Sequence, residues 1–169
     1  MHKTLPRCFA ALMLLLFFAQ AAFAQFQPGA PFKPQQPQAP DFTLKDLDGK
    51  TFRLSAVKGK PVLIFFGTTW CPGCRKEIPK YNRINEKYSS KGLEVVYINI
   101  MEPAEKVKRF ARTNNIRFRV LLDESGHVGT LYNAVGVPML VLLNKDGLVV
   151  KVAHSSSDIP LDEILGSGN

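Results

Sequence analysis

Apolar and polar positions divide the chain into blocks of different period. Val62–Phe66 is an unbroken apolar run, rich in residues that suit a strand buried on both faces. Leu93–Ile100 reads as a second buried strand and Phe118–Leu122 as a further one. Asp41-Phe42-Thr43-Leu44 and Thr51-Phe52-Arg53-Leu54 alternate apolar with polar residues around Asp48-Gly49, which predicts a β-hairpin. Pro138–Leu143 and Leu148–Ala153 flank Lys145-Asp146-Gly147 and predict a second hairpin. Helices are predicted over Cys71–Lys91, from Pro103 through Asn114 with Val107, Phe110 and Ala111 as the inner stripe, over Gly126–Ala134 and over Asp158–Leu165. Pro79 falls inside the first and is expected to bend it, and Gly92 ends it. Strands alternating with helices give an α/β domain of three layers around a central mixed sheet.

The first 40 residues follow neither period. His2, Lys3 and Arg7 precede an apolar run from Phe9 to Ala19, and Ala22-Phe23-Ala24 offers a cleavage site, the form of a secretory signal peptide over 1–24. Ala19-Gln20-Ala21 is a second possible site, and an uncleaved segment would leave a membrane tether. Residues 25–40 form a Pro/Gln-rich leader in which Pro28, Pro31, Pro34, Pro37 and Pro40 recur every third residue. Polyproline II has three residues per turn, so these prolines would line one edge of an extended spacer. Such a spacer is a tether, a docking strip or simply a solvated leader. The domain itself is expected over 41–169, and no internal repeat is present.

Candidate chemistry lies where the strand Val62–Phe66 gives way to the first helix. Gly67-Thr68-Thr69 breaks the apolar run, and Trp70 is followed by Cys71-Pro72-Gly73-Cys74. Pro72 suits a first helical position, so Cys71 would stand where free backbone N–H groups and the helix dipole favour a thiolate. Cys74 falls one turn later on the same face, close enough to close a ring with Cys71. The expected cycle is attack by Cys71 on a substrate disulfide, then resolution of the mixed disulfide by Cys74. A structural zinc site needs four ligands and no second Cys pair exists. A structural bridge over two intervening residues would close too small a loop to constrain the unfolded chain much. Cys8, inside the signal, would be lost on export, leaving this pair alone in an oxidising compartment.

Trp70-Cys71-Pro72-Gly73-Cys74, the downstream Pro79, and Val135-Gly136-Val137-Pro138 much later resemble the thioredoxin superfamily, and more closely its TlpA/ResA-like extracytoplasmic thiol–disulfide oxidoreductases. The resemblance covers about 41–165. It implies a thioredoxin-like fold with an N-terminal hairpin and an inserted strand–helix unit between Leu93 and Leu122. It implies a cis proline at Pro138, facing the cysteine pair and aiming the Val137 backbone at a substrate segment that pairs with it as a short strand. Read without it, Pro138 is an ordinary proline opening an edge strand. Glu77, three residues after Cys74, matches a Glu of the TlpA/ResA-like group and is placed to accept a proton from Cys74; its plainer role is to complement the helix dipole. Thioredoxin's buried Asp on the preceding strand is replaced here by Phe65, and its Gly-Pro between the cysteines by Pro72-Gly73. Trp70 is expected to cover the disulfide and border the docking surface, with burial in the core as the rival.

The formal charge is +8, and Lys3 and Arg7 would leave with the signal. Lys106, Lys108, Arg109, Arg112, Arg117 and Arg119 concentrate much of the remainder. That segment reads as a solvated helix face and strand, so nucleic-acid binding is not expected, while an anionic partner or membrane surface stays open. Together these features predict an exported, periplasmic or extracytoplasmic thiol–disulfide oxidoreductase, and the resemblance implies that it reduces protein disulfides. Its expected partners are an extracytoplasmic protein disulfide and a membrane thiol electron donor; no cofactor and no metal are expected, and a monomer is. The alternatives are a copper-binding or copper-delivery protein using Cys71, Cys74 and His127 or His154, and a net disulfide oxidant.

Overall fold

The computed structural model describes residues 36–166. The predicted signal peptide and the leader up to Gln35 lie outside them. Seven strands form one mixed sheet: β1 (Thr43–Asp46), β2 (Thr51–Arg53), β3 (Val62–Gly67), β4 (Glu94–Ile100), β5 (Arg119–Asp123), β6 (Met139–Leu143) and β7 (Val149–Ala153), in the order β2-β1-β5-β4-β3-β6-β7. β3 runs parallel to β4, and β4 to β5; β1, β6 and the two hairpins add antiparallel pairs at either side. Both hairpins stand where they are predicted, around Asp48-Gly49 and Lys145-Asp146-Gly147.

Every residue of β3 is buried, and its side chains alternate between two cores. Leu63 and Phe65 join one with Val95 and Tyr97 of β4. Helices α1 (Pro72–Tyr88) and α2 (Ala104–Thr113) cover that face through Ile78, Tyr81, Val107, Phe110 and Ala111. Val62, Ile64 and Phe66 enter the other with Val96, Ile98, Phe42 and Phe52, covered partly by Val128 of α3 (His127–Leu131). This is the expected three-layer arrangement. Cys71 and Cys74 belong to the first core, so the CxxC stretch is anchored in packed apolar structure.

Several boundaries differ from expectation. α1 ends at Tyr88, and a 3₁₀ turn over Ser89–Lys91 leads to Gly92, whose positive φ of 88° favours glycine. α3 stops at Leu131, and the last helix, α4 (Leu161–Gly166), is preceded by a separate 3₁₀ turn at Ser156–Asp158. Pro37–Pro40, read as leader, is bound to the domain: Val149 N–H donates to the Pro37 carbonyl at 2.9 Å, Ala39 N–H to Gly147 at 3.0 Å, and the Tyr132 hydroxyl to Pro40 at 2.7 Å. No helix among the described residues is long and apolar enough to cross a membrane.

Candidate active site

Cys71 is the N-cap of α1, in extended conformation, with Pro72 at the first helical position. Cys71 and Cys74 are joined as a disulfide with their Cα atoms 5.3 Å apart. The Cys74 N–H points at Cys71 Sγ at 3.0 Å, so one of the helix's unpaired amides is aimed at the sulfur. Cys71 is 4 % exposed and Cys74 fully buried, whereas Trp70 is 63 % exposed. Trp70 is therefore a surface residue beside the pair and not a core tryptophan.

The Val137–Pro138 peptide is cis. The Val137 carbonyl oxygen lies 3.7 Å from Cys71 Sγ. Pro138 packs against Gly73, where an added Cβ would stand 3.3 Å from the proline Cδ. His154, beyond β7, contacts the Pro138 carbonyl through Nδ1 at 2.7 Å; a carbonyl only accepts, so Nδ1 carries the proton. The residues from α1 and from the loop before β6 thus meet across 66 positions of sequence.

Glu77 is buried one turn beyond Cys74. Its carboxylate accepts from Lys80 Nζ at 2.6 Å, from the Ser156 N–H at 3.0 Å and from the Tyr81 hydroxyl at 3.4 Å. Burial pushes its pKa up, but the hydrogen bonds from Lys80 and Ser156 outweigh that and hold it below the ordinary carboxylate value.

A second buried acid, Glu102, escaped the sequence reading. It accepts from the Thr69 N–H and the Thr69 hydroxyl, each at 2.6 Å, from Asn99 Nδ2 at 3.0 Å and from Lys106 Nζ at 2.6 Å. Burial works to raise its pKa, and the bonds from Lys106 and Thr69 bring it below the ordinary value. Arg75 Nε donates to the Thr69 carbonyl at 3.0 Å, so the turn before Trp70 is held from both sides. The available signal was a polar pair, Asn99 and Glu102, closing the otherwise apolar run of β4. Next to Pro103 it reads only as a helix start.

The basic cluster is largely paired. Lys106 binds Glu102, Lys108 binds Glu105, Arg117 binds Glu86, and Arg119 binds both Glu94 and Asp46. His127 opens α3 and His154 braces Pro138. Among the described residues no group of three or more His, Cys, Asp or Glu side chains is placed to hold a metal ion.

A cysteine pair at a helix N-terminus on a mixed sheet, facing a proline loop, defines a class, and comparison with known proteins assigns it. The chain belongs to the AhpC/TSA family, whose model matches residues 36–152, and has its thioredoxin-like fold. More particularly, it is similar to thiol-disulfide oxidoreductase ResA. It is 32 % identical to that of Geobacillus thermodenitrificans over 151 residues, covering 89 % of this chain and 87 % of the relative. It is 36 % identical to that of Bacillus thuringiensis subsp. konkukian over 114 residues, 68 % of this chain and 66 % of the relative. The crystal structure of a thiol:disulfide interchange protein of the thioredoxin family from Chlorobium tepidum superposes with a TM-score of 0.68 at 28 % identity, covering 80 % of this chain and 97 % of that one. The chain is thus a redox enzyme of the thiol–disulfide oxidoreductase group.

Proposed function

We propose that the chain is an exported thiol–disulfide oxidoreductase that reduces disulfides of extracytoplasmic proteins and is recharged by a membrane thiol donor. The observation that carries this reading is Cys71 at the N-cap of α1, beneath the Val137 carbonyl, with Cys74 buried one turn on. Reduced Cys71, its thiolate favoured by the Cys74 amide, attacks a substrate disulfide and forms a mixed disulfide. The substrate segment pairs with the backbone at Val137 and Pro138 and lies against Trp70, whose exposed indole supports that role. Cys74 then attacks Cys71 Sγ, closing the ring and releasing the substrate thiol. Glu77 accepts the Cys74 proton, being ionised at neutral pH and one turn away on the same helix. The two cysteines carry both electrons, so no cofactor enters. Residues 1–24 act as the signal and the leader runs from 25 to the bound Pro37–Pro40 segment, and the enzyme works as a monomer. Net oxidation of substrates is the same chemistry run backwards, and the reduction potential separates the two.

The assignment of the two cysteines is tested by trapping. Cys74→Ser, mixed with a protein disulfide, should accumulate a mixed disulfide through Cys71. Cys71→Ser should accumulate none. Equal trapping by both variants, or trapping through residue 74 alone, contradicts the assignment.

A further inference from the structure

Gly67, the last residue of β3, has no side chain, and something else fills that space. The three atoms nearest the point where its Cβ would stand are Tyr97 Cε2 at 2.7 Å, the Tyr97 hydroxyl oxygen at 3.0 Å and Cys74 Sγ at 3.2 Å. Tyr97 and Cys74 are both fully buried, and the tyrosine ring is stacked on Phe65 with centroids 4.8 Å apart. The glycine therefore admits a phenol beside the sulfur of the resolving cysteine.

The hydroxyl is set up to donate. Asn99 Nδ2 bonds to the Tyr97 oxygen at 3.3 Å and to Glu102 at 3.0 Å. Since Asn99 is the donor, the tyrosine oxygen accepts and its proton is left to point elsewhere. Burial, with the Glu102 charge adding to it, pushes the Tyr97 pKa far above the ordinary phenol value, so the proton stays on oxygen at any working pH. The titratable side chains of α1 buried with Cys74 are Glu77, Tyr81 and Tyr88, Cys71 caps that helix, and Glu102 lies buried after β4; the remaining charged groups of α1 and α2 stand outside the buried set, and β3 and β6 supply apolar side chains only.

We propose that Tyr97 is a positioning residue for the resolving step, donating a hydrogen bond to the Cys74 sulfur when the disulfide is open. This rests on the reductase cycle above. Two electrons and two protons from the donor dithiol break the Cys71–Cys74 bond and leave two thiols; when Cys74 gives up its proton, Tyr97 keeps its own and stabilises the charge on the sulfur. In the mixed disulfide, Cys74 loses its proton to Glu77, attacks Cys71 Sγ, and the departing substrate sulfur takes up a proton. Tyr97 thus favours the thiolate that attacks, on the side of Cys74 served by β4, while Glu77 acts along α1.

The test follows alkylation of Cys74 against pH in the reduced full chain, reading the Cys74 and Cys71 peptides separately by mass spectrometry. A hydrogen bond to a charged group shifts such an equilibrium by about tenfold or more. Tyr97→Phe should therefore slow Cys74 alkylation at neutral pH by about that factor, move its pH midpoint to the alkaline side and leave Cys71 unchanged. Tyr97→3-fluorotyrosine, a stronger donor of the same shape, should move the midpoint the other way, and it decides the matter if the Phe variant does not fold. An unchanged Cys74 profile in either folded variant overturns the proposal. Insulin reduction by the wild-type chain is measured alongside: its failure counts against the reductase reading, while the Cys74 profile decides the role of Tyr97 by itself.

Discussion

Glu102 is the residue on which the turn before the cysteine pair depends. Four donor groups converge on one buried carboxylate, two of them from Thr69. Glu102→Gln keeps the shape but turns an amide toward donors, leaving at least one buried group unpaired, and should cost about 1–3 kcal/mol in urea unfolding. The charge also sets an acid limit. The Glu77 and Glu102 pKa values are both lowered on folding from the ordinary 4.5, so their stabilisation is complete above that value and is lost as pH falls through the folded values. The wild type should lose stability progressively below about pH 4.5, and Glu102→Gln should show a shallower acid slope. Parallel slopes for the two proteins would contradict this. At this scale the sequence is unevenly legible. Cys71, Cys74 and Glu77 are found because their spacing on one helix is the signal. Glu102 and Tyr97 are not, because Thr69 is 33 positions from Glu102 and Tyr97 and Cys74, on separate elements, border the same point beside Gly67.

Elements were readable where one period runs uninterrupted. β3 and β4 announce themselves as apolar runs, and the hairpins through Asp48-Gly49 and Asp146-Gly147. Helix ends were less so: α1 gives way to a 3₁₀ turn at Ser89 although the polar pattern continues to Lys91. The proline period concealed another contact. Pro37–Pro40 reads as spacer because nothing local shows that Gly147 and Val149, more than a hundred positions away, supply its partners. The Val149 amide is the reporter of that contact, since its hydrogen bond goes to the Pro37 carbonyl. Removing residues 36–40 should expose this amide and speed its hydrogen exchange, while the Leu121 region in the central sheet stays protected. Unchanged exchange at Val149 would show that the segment does not hold that edge.

At the scale of the molecule, the sheet brings distant stretches to one end. The parallel strands β3 and β4 deliver Gly67 and the Asn99–Glu102 turn to the same edge as the start of α1, and the antiparallel β6 starts there with Val137 and Pro138 just before it. The disulfide therefore lies where Glu102 holds Thr69 in the turn before it, Glu77 follows one turn on along α1, and the proline loop braced by His154 stands across from Cys71. Much of the surface charge is held in ion pairs around the sheet edge and α2. Family membership supplies the class of chemistry; the direction in which electrons flow through this pair is set by the relative stability of its dithiol and disulfide forms. The measurement that addresses this directly is the reduction potential of Cys71–Cys74, by equilibration against a thiol buffer. A dedicated reductase fed from the membrane requires a value near or below that of thioredoxin, about −270 mV. A value near that of the oxidant DsbA, about −120 mV, would contradict the reductase and make the chain a donor of disulfides.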